Sequence, residues 1–79
     1  MKKLRTQIYL VEMRNCRDRQ DDEAIKVRAI SKSAARLIVH NNVNCLNWSI
    51  GDVVLARGNL TKRDKEIASH LRSICVRTI

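Results

Sequence analysis

The acidic side chains that could hold a metal or move a proton come together at one place only, Asp21-Asp22-Glu23, and are scattered elsewhere. Two-metal hydrolysis needs carboxylates that converge on one point. Neighbours along a strand or loop point in different directions, so the trio reads as a solvated hairpin loop. His40 falls at a predicted helix end and His70 on a second predicted helix. Neither has a sequence-visible partner to orient its imidazole for acid–base work, so both read as surface or capping residues. Cys16, Cys45 and Cys75 are odd in number and widely spaced, with no CxxC. That fits neither a disulfide scaffold nor the close ligand pairs of a zinc site. They read as buried or half-buried free thiols of a reduced, intracellular protein. His40 and Cys45 alone are too thin a set for a metal. There is no Gly-rich phosphate loop, HExxH or GxSxG. The expectation is a non-enzyme with no catalytic residue, no metal and no cofactor.

The cations carry more information. Sixteen Lys and Arg stand against eight Asp and Glu in 79 residues, a formal net charge of +8. Solubility does not ask for so much, and the excess points to a polyanion, or to a protein that handles one. The cations are spread in small groups. Lys2, Lys3 and Arg5 precede the first predicted strand, and Lys26 and Arg28 share the outer face of the second. Lys32 and Arg36 lie one turn apart on the first predicted helix; Lys62, Arg63 and Lys65 crowd the first turn of the second. Positive charge at a helix N-terminus opposes the macrodipole, so that crowding does not serve helix stability. Together the strand pair, the first-helix pair and the N-terminal arm would make one patch able to neutralise several phosphates. Lys26, Arg28, Lys32 and Arg36, supported by Lys62, Arg63 and Lys65, form the expected binding surface.

The elements that must position these residues follow from local pattern. Gln7 to Met13 is β-branched and aromatic and reads as a central strand. The polar stretch Asn15 to Glu23 reads as a loop, and Ala24 to Ile30 alternates as a half-buried strand, so the two should pair as a hairpin. Ser31 is a predicted N-cap for a helix whose apolar side is Ala34, Ala35, Leu37, Ile38 and Val39; Asn41-Asn42 is its stop. Val43 to Ile50 nearly alternates with a slip at Leu46-Asn47, Gly51-Asp52 reads as a turn, and Val53 to Ala56 as another strand ended by Gly58. Thr61-Lys62-Arg63-Asp64 forms a capping box before a helix to about Cys75, with Ile67, Ala68, Leu71, Ile74 and Cys75 at helical spacing. Val76 to Ile79 frays or adds a short strand. The expected fold is α+β: a small antiparallel sheet in ββα-ββ-α order with helices packed on one face.

Length bounds the rest. Seventy-nine residues make a single domain, 1–79, whose core is near the lower limit for standing alone. An apolar fraction of 44% is too high for a disordered basic tail, and with no Pro and two Gly there is no linker. The apolar run Ile8 to Val11 stops at Glu12, too short for a signal segment or a membrane span, so the expected address is the cytoplasm. Single-stranded nucleic-acid binders stack bases on exposed aromatics. Here only Tyr9 and Trp48 exist, both in apolar stretches that suit core packing. No helix-turn-helix is present either, since about twenty residues of predicted strand part the helices.

The run Tyr9-Leu10-Val11-Glu12, the loop, and then Ile25 through Arg36, where a hairpin feeds directly into a Ser-capped, Ala-rich helix, resembles small phage-encoded proteins, among them anti-CRISPR proteins of type I systems. The resemblance spans roughly residues 7 to 58. It implies a phage or mobile-element protein that inhibits a CRISPR effector complex stoichiometrically, acting in the host cytoplasm, and it assigns no contact residue. The leading expectation is a small basic binding protein, monomer or homodimer, that inhibits or modulates a host nucleic-acid machine by direct contact. The alternative is a duplex DNA- or RNA-binding regulator acting through a sequence-tolerant basic patch.

Overall fold

The computed structural model describes residues 5–17, 22–43, 47–56, 58 and 60–78. Six elements follow in the order β1 (Gln7–Asn15), β2 (Glu23–Ala29), α1 (Lys32–Asn42), β3 (Trp48–Leu55), α2 (Lys62–Arg72) and β4 (Cys75–Thr78). The fold is α+β, a four-stranded sheet of order β3-β1-β2-β4 with two helices packed against it. The predicted hairpin forms: β1 and β2 pair antiparallel from Gln7 opposite Ala29 to Met13 opposite Glu23. Ser31 caps α1, its hydroxyl accepting the Ala34 N–H at 3.1 Å. Thr61 caps α2, its hydroxyl accepting from the Asp64 N–H at 3.0 Å.

The sheet is mixed, where an antiparallel one was expected, because β4 runs parallel to β2 from Glu23 opposite Cys75 to Lys26 opposite Thr78. Among the described residues one strand lies between the helices, with no turn at Gly51-Asp52. β3 runs straight through Gly51 and pairs antiparallel with β1, with a register shift between Val11 and Met13. Gly51 is required for another reason. A Cβ there would collide with the carboxyl group of Glu12, which lies across the β3 backbone at the irregularity. At the end of α1, the left-handed Asn stop does not form. The helix leaves through Val43 in extended conformation, and the Asn42 side-chain amide donates to the Ile38 carbonyl at 2.7 Å. Nor does α2 reach Cys75; it ends at Arg72, with Ser73 donating its N–H back to the His70 carbonyl at 3.0 Å.

The helices lie on opposite faces of the sheet, which corrects the one-face expectation. Side chains alternate along a strand. Tyr9, Val11 and Met13 of β1, with Ile25, Val27 and Ala29 of β2, pack against Ala35 and Val39 of α1. Their neighbours Leu10 and Ala24, with Val54 of β3, pack against Ala68 and Leu71 of α2. The topology gives the reason. β2, β3 and β4 all run the same way, so α1 (β2 to β3) and α2 (β3 to β4) are both crossovers between parallel strands. Such crossovers keep one hand. The first crosses the sheet in one direction and the second comes back, and equal hands then require opposite faces. Both helices accordingly begin at the same end of the sheet.

Candidate partner-binding surface

The shared starting end of the helices brings four groups of side chains around the outer edge of β3. Lys32, at the start of α1, donates from Nζ to Asp64 Oδ1 in the first turn of α2 at 3.1 Å, joining the two helices past that edge. One turn on, the Arg36 guanidinium donates to the Gly51 carbonyl at 3.0 Å. Lys32, Arg36, Asp52, Arg63 and Asp64 line one polar depression of about 420 Å³ there. Lys62 and Lys65 flank Arg63 on the first turn of α2; all three are exposed and make no ion pair among the described residues. The hydrogen bond from Lys32, with help from Thr61, lowers the Asp64 carboxyl below its ordinary pKa. Asp64 therefore stays charged and belongs to the cap. The excess of Lys32, Arg36, Lys62, Arg63 and Lys65 over Asp52, Asp64 and Glu66 leaves this edge positive, and the two helix N-termini add to that field.

Lys26 and Arg28 do not join this group. Their side chains are exposed, as expected, but they point to the α2 face of β2, away from α1. Lys26 lines a separate depression with Arg72, Ile8 and Val76. Arg28 lies beside Thr6 and Gly58, its guanidinium 3.4 Å from Thr6 Oγ1. The single patch expected from the sequence is thus divided in two by the sheet, because β2's outer face is the one that α2 covers only in part. Lys2 and Lys3 of the arm lie outside the described residues, as do Asp21, Cys45 and Leu46.

Of the remaining chemistry-bearing residues, the two carboxylates Asp22 and Glu23 have structural partners. Asp22 accepts from the Asn15 N–H at 3.0 Å, closing the hairpin, and Glu23 pairs with Arg77 of β4 at 2.8 Å. Cys16 and Cys75 are exposed thiols rather than buried ones. Cys75 is drawn to the surface because α2 ends early and its strand lies at the sheet edge.

One constellation was missed by sequence reasoning. Glu12 is only 2% exposed, the sole buried charged residue among those described. Its carboxylate accepts from Arg14 Nε at 2.7 Å and lies 3.3 Å from His70 Nε2 of α2. That hydrogen bond, with the Glu12 charge, raises the Arg14 pKa above its ordinary value. A buried carboxylate needs such partners. Its sequence signal was a Glu interrupting an apolar strand, and its orienting effect on His70 required knowing where α2 docks. The three residues line an open depression with Asn15, Cys16, Asp22 and Ser49, and Arg14 and His70 are largely exposed there.

No family model, curated protein or solved structure matches the chain. No helix of the described residues is long and apolar enough to cross a membrane.

Proposed function

We propose that this chain is a non-enzymatic binding protein that docks its cationic β3 edge on an acidic surface of a nucleic-acid-handling machine and so inhibits or modulates it. The observation that carries the reading is the exposed Lys62-Arg63-Lys65 turn beside Lys32 and Arg36. Cations are placed where the helix dipole disfavours them, on elements from both faces of the sheet, and most of them are left for an outside partner. Charge arranged in this way serves encounter rate and specificity, and mutation of such rim charges changes association and its salt dependence.

The hairpin leading into a Ser-capped helix supports the narrower form of the reading, a phage- or mobile-element-encoded inhibitor of the anti-CRISPR kind working in the host cytoplasm. Against a direct duplex binder stands the division of the cations. Lys26, Arg28 and Arg72 lie apart from the β3 edge, so the cations of the described residues do not form a single continuous track for phosphates.

Expression of the chain in cells carrying type I CRISPR systems should restore plating of a targeted phage, and Lys62→Glu/Arg63→Glu/Lys65→Glu should abolish the effect while leaving the fold intact. Absence of restoration across such systems removes the anti-CRISPR form. Tight binding of the purified chain to duplex DNA at physiological salt, with a steep salt slope, would replace protein docking by the duplex-binding reading.

A further inference from the structure

The polar depression at the β3 edge opens along α1 into an apolar one. A groove of about 480 Å³ runs between the outer side of α1 and β3, walled by Leu37, Trp48 and Ile50, with Arg36 and His40 at its margin. Leu37 is 59% exposed, and Trp48 and Ile50 are only half-buried. The sequence placed Trp48 in the core; it packs against the edge of the α1-side core and leaves the rest of its ring to the groove. A single exposed leucine needs no explanation. An exposed leucine, a half-covered tryptophan and an isoleucine that together wall one depression of ligand-binding size are a different matter. Ser33 and Arg36 line both depressions, so the apolar groove and the cationic one are continuous.

The geometry points to an apolar anchor site: the groove receives one bulky apolar side chain of a protein partner whose neighbouring residues are acidic. This rests on the docking reading above and names what the docked segment must look like. Charge complementarity selects the occupant. Any segment whose side chain enters between Leu37 and Trp48 lays its flanking residues against Arg36, Lys32 and Arg63, where carboxylates are favoured. A second copy of this chain would bring its own net charge of +8 to that rim and be repelled. Strand addition to the β3 edge is obstructed at Gly51, whose carbonyl Arg36 already occupies. A nucleobase would find the single indole of Trp48 with Leu37 and Ile50 around it and His40 and Arg36 only at the margin, in place of the row of aromatics on which single-strand binders stack successive bases. Tryptophan, here in the groove wall, and arginine, here at its margin, are among the residue types that dominate binding energy at protein interfaces.

The chain has one tryptophan, so Trp48 fluorescence reports the groove directly. Two labelled synthetic peptides serve as probes, each of eight Asp and Glu residues around one central position, Phe in the first and Ala in the second. The Phe peptide should bind about tenfold tighter than the Ala peptide, and only the Phe peptide should shift the Trp48 emission. Leu37→Ser, at an exposed position, should erase the difference between the peptides while circular dichroism stays unchanged. Lys62→Glu/Arg63→Glu/Lys65→Glu should weaken both peptides alike and preserve their ratio. Equal binding of the two peptides with no change at Trp48 overturns the anchor site and leaves the cationic docking surface standing. Binding of neither overturns both. A single-stranded oligonucleotide that shifts Trp48 emission at lower concentration than the Phe peptide overturns the anchor site in favour of a nucleic-acid site.

Discussion

The two faces of the sheet are held by different physics. Under α1 the contact is apolar throughout: Tyr9, Val11, Met13, Ile25 and Val27 meet Ala35 and Val39, with no buried charge among them. Under α2 the apolar cluster is smaller, built on Leu10, Ala24, Val54, Ala68 and Leu71, and beside it lies the buried carboxylate of Glu12 with His70 and Arg14. Hydrophobic burial is non-directional, whereas a buried carboxylate is satisfied only in one arrangement of its partners. The α1 face therefore sets how much core there is. The α2 face, with little core to spare, uses the Glu12 site to set where β3 and α2 sit. The binding edge is where the two faces meet.

The largest test of this contrast is Leu71→Ala. Leu71 is fully buried at the centre of the small α2-side cluster, so few side chains can move in to fill its place. The loss should be about 2–5 kcal/mol, a large part of the roughly 5–15 kcal/mol that holds a domain together. Leu37→Ala on the exposed side of α1 should change stability by less than about 0.5 kcal/mol. Urea unfolding of the two variants checks the pair. An unchanged midpoint for Leu71→Ala would mean that α2 is not a structural half of the core.

Next in size is Gly51→Ala. The added methyl meets the Glu12 carboxyl and the Arg14 guanidinium, so the cost should be about 1–3 kcal/mol. The cause is a side chain, and removing that side chain should remove the cost. In a Glu12→Ala background the same substitution should be much milder, and a double-mutant cycle measures the coupling. Additive effects would return Gly51 to an ordinary backbone role and detach β3 from the Glu12 site.

The same contrast explains what could be read from the chain. The hairpin, both N-caps and part of each helix's apolar stripe were legible, because each depends on residues close in sequence: Ser31 with Ala34, Thr61 with Asp64, Ile25 alternating with Lys26. Leu37, expected on the apolar side of α1, is exposed, and Ile74 lies beyond the end of α2. What was not legible depends on partners far away. Gly51-Asp52 has the local signature of a turn, and only Glu12 reaching across from β1 turns it into mid-strand. The parallel pairing of β4 is likewise long-range, setting Cys75 to Thr78 against Glu23 to Lys26. From it the hand of the two crossovers, and hence the opposite faces of the helices, follow. That step also shapes the candidate site. Lys26 and Arg28 alternate with Ile25 and Val27, which meet α1, and so point away from Lys32 and Arg36; the return crossover brings Arg63 to the β3 edge in their place. Trp48 packs on the core as expected but stays half-exposed, which was not legible because an aromatic in an alternating stretch looks the same whether its strand is central or at the edge.

The smallest effect concerns the ion pair that joins the faces. Asp64 has its pKa lowered first by the hydrogen bond from Lys32 and then by those from Thr61, so the folded state prefers the carboxylate more than the unfolded chain does. A depressed carboxyl contributes stability that is fully present above its unfolded pKa and is lost as pH falls through the folded value. The wild-type chain should therefore lose stability relative to Asp64→Asn as the pH drops below the usual carboxylate range, and the two should diverge most at neutral pH. Asn keeps an oxygen for the helix cap, so the difference isolates the charge. The effect is small because the Lys32 side chain is half exposed and salt screens it. Urea midpoints of both proteins, taken from neutral to acid pH at low and high salt, measure it. If Asp64→Asn follows the wild-type curve at every pH, the helices are held to their faces independently, and the cationic edge is an outcome of topology with no bond of its own to fix it.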